Sequence, residues 1–107
     1  MTPALITTTV SSPEEGEKIS RALVENRLAA CVNIVGPVKS FYRWQDEIQQ
    51  DEEYKLFIKS CSENWEELQL AIKKLHSYEV PEISMIAMKE VEPGYLNWMS
   101  EMMDKMI

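Results

Sequence analysis

A chain of 107 residues, 45% of them hydrophobic, is long enough to bury one core without disulfide or metal staples, so residues 1–107 read as a single globular domain. Eleven Lys and Arg against eighteen Asp and Glu give a formal net charge of −7, which repels phosphate backbones and anionic lipid alike and argues against nucleic acid and membranes as partners. No apolar run approaches the roughly 20 residues of a membrane span, and Met1-Thr2-Pro3-Ala4 lacks the basic region and cleavage site of a signal peptide; the expected compartment is the cytoplasm, with Cys31 and Cys61 as reduced thiols.

In chain order, Ala4 to Val10 is β-branched and bounded by Pro3 and Ser11-Ser12, which makes it a strand. The period then changes. Ser12 is placed as an N-cap, Pro13 at the first helical position and Glu15 to complete a capping box, and Ile19, Ala22, Leu23 and Asn26 recur at helical spacing. A first helix is predicted from about Pro13 to Asn26. Leu28 to Val35 is a nearly unbroken apolar run, Gly36-Pro37 is turn chemistry and Val38 to Trp44 alternates, which predicts a hairpin turning at Gly36-Pro37. The polar interval Gln45 to Glu53 either extends these strands or links them to the next, Tyr54 to Ser60. Ser62 is placed to cap a second helix from about Glu63 to His76, with Trp65, Leu68, Ala71, Ile72 and Leu75 as its apolar stripe. Ile83 to Met88 is a further strand, and Tyr95 to Met99 opens a C-terminal helix.

The order β-α-β-β-α-β with a final helix predicts an α+β, ferredoxin-like split-βαβ fold, in which two helices cover one face of an antiparallel sheet. The other face is left bare, and the cheapest partner for it is another copy of the chain.

Chemistry concentrates in Leu75 to Ile83, which holds the only histidine beside two carboxylates and a phenol. Lys73, Lys74 and His76 fall in the last turn of the predicted helix, where cations interact favourably with the helix dipole, and Pro81 forbids further helix. His76, Tyr78, Glu79 and Glu82 therefore sit on a helix-to-strand joint. A neutral imidazole suits copper, nickel and zinc, with Glu79 and Glu82 as oxygen donors; the alternative is that His76 only caps its helix. Cys31, in an apolar run, reads as a buried inert thiol, and Cys61, at a strand end, as the more exposed one. Met99, Met102, Met103 and Met106 recur at i, i+3, i+4 and i+7, a spacing that serves a cuprous thioether cradle but is also what a helix needs to bury one face; packing is the preferred reading. Tyr42, Arg43 and Trp44 either line an anion cleft or pack between strands or subunits. With three glycines, no phosphate loop and no paired-cysteine motif, no enzyme activity is expected and no catalytic residue is assigned.

Leu28-Ala29-Ala30-Cys31-Val32-Asn33-Ile34, Tyr42-Arg43-Trp44, His76 to Ile83 and Tyr95-Leu96-Asn97-Trp98, in this order and spacing, closely resemble the CutA family, the divalent-cation tolerance proteins. The resemblance spans essentially the whole chain. It implies a homotrimer similar to the PII signalling proteins, high thermal stability, and an association with copper and other divalent metal ions; it does not fix a biochemical activity or a protein partner. Some relatives carry a cysteine and a second histidine where this chain has Val10 and Leu75, and His76-Ser77-Tyr78 replaces the common His-Pro-Tyr. The expected metal set is thus reduced to His76, Glu79 and Glu82, with divalent metal, copper among the candidates, as the expected cofactor. The alternative function is a PII-like sensor or scaffold that binds a small anion or a partner protein in intersubunit clefts.

Overall fold

The computed structural model describes residues 1–105. Its elements run β1 (Pro3–Val10), α1 (Pro13–Glu25), β2 (Cys31–Trp44), β3 (Glu47–Cys61), a 3-10 turn (Ser62–Asn64), α2 (Trp65–Leu75), β4 (Ile83–Ala87) and α3 (Pro93–Met102). The four strands form one sheet in the order β2-β3-β1-β4, and every neighbouring pair is antiparallel. This is the split-βαβ arrangement that the element order predicts.

Strand alternation decides which residues are covered. On β1, Ala4, Ile6, Thr8 and Val10 point to the helix side and are buried, paired across to Ser60, Ile58, Leu56 and Tyr54 of β3. Ile19 and Leu23 of α1 and Leu68 and Ile72 of α2 close over them, each with no measurable exposure. Burying each such side chain stabilises the fold by roughly 1.5–3 kcal/mol. A smaller cluster of Ala30, Cys61, Met99 and Met103 lies where β1 begins, joined by half-buried Met88 and Val91.

Two local expectations are corrected. Gly36-Pro37 is no hairpin turn: it is an irregularity inside β2, where the register with β3 shifts between Val35 and Val38. A Cβ on Gly36 would strike the Tyr54 ring and approach Glu53 O at 3.0 Å, so the glycine is there for close approach of two strands. The turn falls instead at Gln45 and Asp46, whose φ values of 50° and 63° are those of a two-residue type I′ hairpin turn. The polar interval therefore extends the strands, and β2 and β3 continue as a two-stranded arm from Val38↔Glu53 to Trp44↔Glu47. Finally, α2 begins at Trp65 after the 3-10 turn, and Ser62 supplies no side-chain cap.

Candidate functional site

The joint between α2 and β4 forms because α2 runs out of helix at Leu75. The His76 backbone N–H donates to Ile72 O at 2.9 Å while its own φ and ψ, −79° and 137°, are already extended. Its side chain then turns inward and is fully buried. Nε2 lies 2.9 Å from Thr9 O at the end of β1, and the Tyr78 backbone N–H donates to Nδ1 at 3.1 Å. Because Nδ1 accepts, the ring proton sits on Nε2 and is donated to Thr9 O: a neutral imidazole with both nitrogens in use. Glu15 Oε2 stands 3.4 Å from Nδ1, a contact that becomes an ion pair only if the ring takes a second proton.

Glu15 binds the joint to α1. Its amide closes half of the expected capping box by donating to Ser12 Oγ at 3.2 Å. The other half is not made. The carboxylate instead accepts from Ser77 N at 2.9 Å, Ser77 Oγ at 2.8 Å and Ser11 Oγ at 3.2 Å. Burial alone would raise its pKa, yet the two Ser77 bonds and the neighbouring His76 outweigh burial and hold the carboxyl below its ordinary range. Tyr78 packs its ring 4.9 Å from that of His76 and donates its hydroxyl to Glu53 at the foot of the arm. Burial, followed by that bond to a carboxylate, pushes the phenol well up.

The predicted ligands are not gathered in one place. Glu82 accepts from Thr7 Oγ1 at 3.0 Å, Thr9 Oγ1 at 3.2 Å, Ser84 Oγ at 3.0 Å and Lys55 Nζ at 3.2 Å. Those bonds outweigh partial burial and lower its pKa. Glu79 faces solvent. Thr9 is the hinge of the arrangement, offering its carbonyl to His76 and its hydroxyl to Glu82. Among the described residues no three histidine, cysteine or carboxylate side chains are arranged to hold a metal ion. As placed, His76 has no free nitrogen lone pair, Glu82 is exposed but has both oxygens engaged by Thr7, Thr9, Ser84 and Lys55, and Glu79 points outward.

The opposite end of β1 reverses the expectations for the thiols. Cys31 is half-buried, with Lys59 Nζ 4.0 Å from its sulfur. Cys61, expected to be exposed, is 5% exposed because α3 lays Met99 and Met103 against it. Burial, joined by the charge of and hydrogen bond to the Glu63 carboxylate, pushes its thiol up, and the Asn64 and Glu63 backbone N–H groups only partly offset this. Met99 is fully buried and Met103 nearly so, as packing requires, while Met102 is 38% exposed and Met106 lies outside the described residues. Beside Cys61, Glu63 clamps the start of the chain by accepting from Thr2 N at 2.9 Å and Thr2 Oγ1 at 3.0 Å. The Thr2 amide holds this carboxyl down at about 2. The signals missed in sequence were long-range: nothing local ties Glu15 to Ser77, Tyr78 to Glu53, or Cys61 to Met103.

A four-stranded antiparallel sheet under two helices, with a long β2–β3 arm and a hydrogen-bonded histidine joint, defines a ferredoxin-like domain. The family described as CutA1 divalent ion tolerance protein matches residues 4–102, so the chain belongs to the CutA1 family. It is 45% identical over 93 residues to the divalent-cation tolerance protein CutA of Thermus thermophilus, covering 87% of this chain and 90% of that one. Among solved structures, CutA1 from Oryza sativa superposes with a TM-score of 0.95 at 30% identity, covering 98% of this chain and 96% of that one. CutA from Xylella fastidiosa does so with a TM-score of 0.94 at 34% identity, covering 97% and 100%. No helix among the described residues is long and apolar enough to cross a membrane.

Proposed function

We propose that this chain serves divalent-cation tolerance as a metal-responsive homotrimer without catalytic activity, acting in the cytoplasm and binding copper and other divalent ions with modest affinity. Relatives are named for divalent-cation tolerance, and the net charge of −7 favours cations. The observation that carries the reading is the arm: Phe41, Trp44 and Ile48 are 65%, 62% and 64% exposed in one chain. Large apolar side chains grouped on one projecting hairpin are a subunit contact in search of its partner. Assembly also answers the metal question. Since no three ligands converge among the described residues of one chain, a cation held by three side chains draws on more than one copy, and a three-fold ring supplies every carboxylate three times. In this reading His76 fixes the joint, Glu79 is the outward oxygen donor, and Glu82 joins only by releasing Thr7 and Ser84.

Light scattering at micromolar concentration then gives a trimer; a monomer contradicts the assembly. In a thermal-shift titration, cupric or zinc ion raises the melting temperature, because a ligand that binds only the folded state stabilises it in proportion to occupancy. Glu79→Gln shrinks that shift, whereas His76→Ala lowers the starting melt and leaves the shift in place. A second reading, a sensor or scaffold of the PII type, rests on Arg43, which projects with exposed Tyr42 and Trp44 on the arm as an anion site would require. A shift by nucleotide or carboxylic acid in the absence of any metal response selects it.

A further inference from the structure

Glu53 is the only charged residue among the described ones that the fold buries, at 8% exposure. It has no counter-ion there. The next residue on its side of β3, Lys55, is tied to Glu82 at 3.2 Å, and the other ion pairs among the described residues join His76 to Glu15 and Lys105 to Glu67. Its one hydrogen-bond partner among them is the neutral Tyr78 phenol, which donates to Oε2, so Oε1 is left without a bond. A carboxylate taken out of water with no positive partner is costly, and this one lacks a partner that the described chain supplies.

Strand alternation puts Asp51 on the same side of β3, and there the arrangement repeats: Tyr42, on the neighbouring β2, donates its hydroxyl to Asp51 Oδ2. The four groups form one cluster. The bond to Asp51, then burial and the charges of Asp51 and Glu53, raise the pKa of Tyr42; burial, then the bond to Glu53 and the charges of Glu53, Asp51 and Glu15, raise that of Tyr78. Both phenols therefore stay protonated beside carboxylates that keep their charge. Asp51 and Tyr42 are exposed and Glu53 is buried, so the cluster runs from a solvent-facing mouth to an anionic floor.

We propose that Asp51 and Glu53, with the Tyr42 and Tyr78 phenols, form a binding site for an organic cation, a primary ammonium or guanidinium group. The donor set decides against a metal ion. Hard cations want several oxygen ligands around them, and no three carboxylate, histidine or cysteine side chains converge among the described residues. An ammonium or guanidinium needs only two or three acceptors for its N–H groups, which the unbonded Glu53 Oε1, Asp51 and the phenol oxygens offer, and aromatic rings attract its charge. The site goes beyond the divalent-ion reading, whose named ligands, Glu79 and Glu82, it does not use.

The test titrates butylammonium and butylguanidinium into the full chain carrying carbon-13 in its tyrosine rings. The Tyr42 and Tyr78 ring signals are expected to move together and to saturate at one cation per chain. Butyltrimethylammonium, which has the charge but no N–H, binds about tenfold more weakly, and Glu53→Gln weakens both probes at least about tenfold, as loss of a charged hydrogen-bond acceptor does. Asp51→Asn, at the exposed mouth where the fold is not at stake, weakens them about threefold. Glu52→Gln, on the opposite side of the strand, leaves binding intact. Affinity unchanged in both Glu53→Gln and Asp51→Asn overturns the assignment, as does displacement of the probes by magnesium ion. Still rings at millimolar probe, the result if a lysine or arginine of another copy already fills the place, overturn it too.

Discussion

The two ends of β1 hold opposite kinds of polar chemistry. At the Thr9 end, the chain's only imidazole is buried with both nitrogens hydrogen-bonded, and the surrounding carboxylates Glu15 and Glu82 each accept several donors. At the Pro3 end, Cys61, Met99 and Met103 pack together as apolar cover, with the thiol engaged by Glu63 and the Asn64 backbone N–H and the Met103 sulfur 3.8 Å from the Asn64 side-chain nitrogen. The lesson is that ligand-capable residue types are not ligands until their lone pairs are counted. An imidazole placed to lock three elements together has already used its coordination capacity, whereas the sulfur end is held by adaptable apolar packing rather than by a specific polar joint.

The sharpest way to break this comparison is to remove the histidine. His76→Ala leaves Thr9 O and the Tyr78 N–H without partners in a buried site and opens a cavity, and should cost about 2–4 kcal/mol in urea denaturation. A loss below about 1 kcal/mol would mean the ring does not hold the joint.

Acid separates the ends next. Glu15, Glu63, Glu82 and Glu92 all have carboxyls lowered from 4.5, Glu63 to about 2. A group whose folded pKa is depressed contributes stability that is complete above its unfolded value and lost as the pH falls through the folded one. Melting temperature should therefore hold down to about pH 4.5 and fall progressively toward pH 2. Glu63→Gln should flatten the lowest part of that curve, because it removes the Thr2 clamp's charge; an unchanged profile would show that the clamp is not linked to folding.

The smallest effect is expected at the sulfur end. Met103→Leu conserves volume and apolar character and should cost less than about 1.5 kcal/mol in the same denaturation series. A cost matching that of His76→Ala would erase the distinction between a specific polar joint and adaptable packing.

Much of the fold was readable because it is written in local signals. Ser12-Pro13 announced α1, the apolar stripes of α1 and α2 announced their buried faces, and β-branched runs announced the strands. The arm was harder. Gly36-Pro37 carries stronger turn chemistry than Gln45-Asp46, but the Tyr54 ring sits where a side chain at position 36 would be, and strand pairing simply continues past the irregularity. The candidate site was legible only as a place. That His76 lies at a helix-to-strand joint follows from Pro81, but the partners that decide its chemistry, Thr9 and Glu15, are 67 and 61 residues away and approach only once the sheet is formed. Cys61 was misjudged for the same reason: its cover is supplied by α3, a helix that the sequence places next to nothing in particular.

The central claim is that His76 is a structural lock in the Nε2–H tautomer. Long-range proton–nitrogen correlation of the imidazole at neutral pH reads this directly, first alone and then with one equivalent of zinc ion. A protonated Nε2, an unprotonated Nδ1 and no movement of either resonance on adding zinc is the result predicted; a proton on Nδ1, or a zinc-induced shift of either nitrogen, would contradict it.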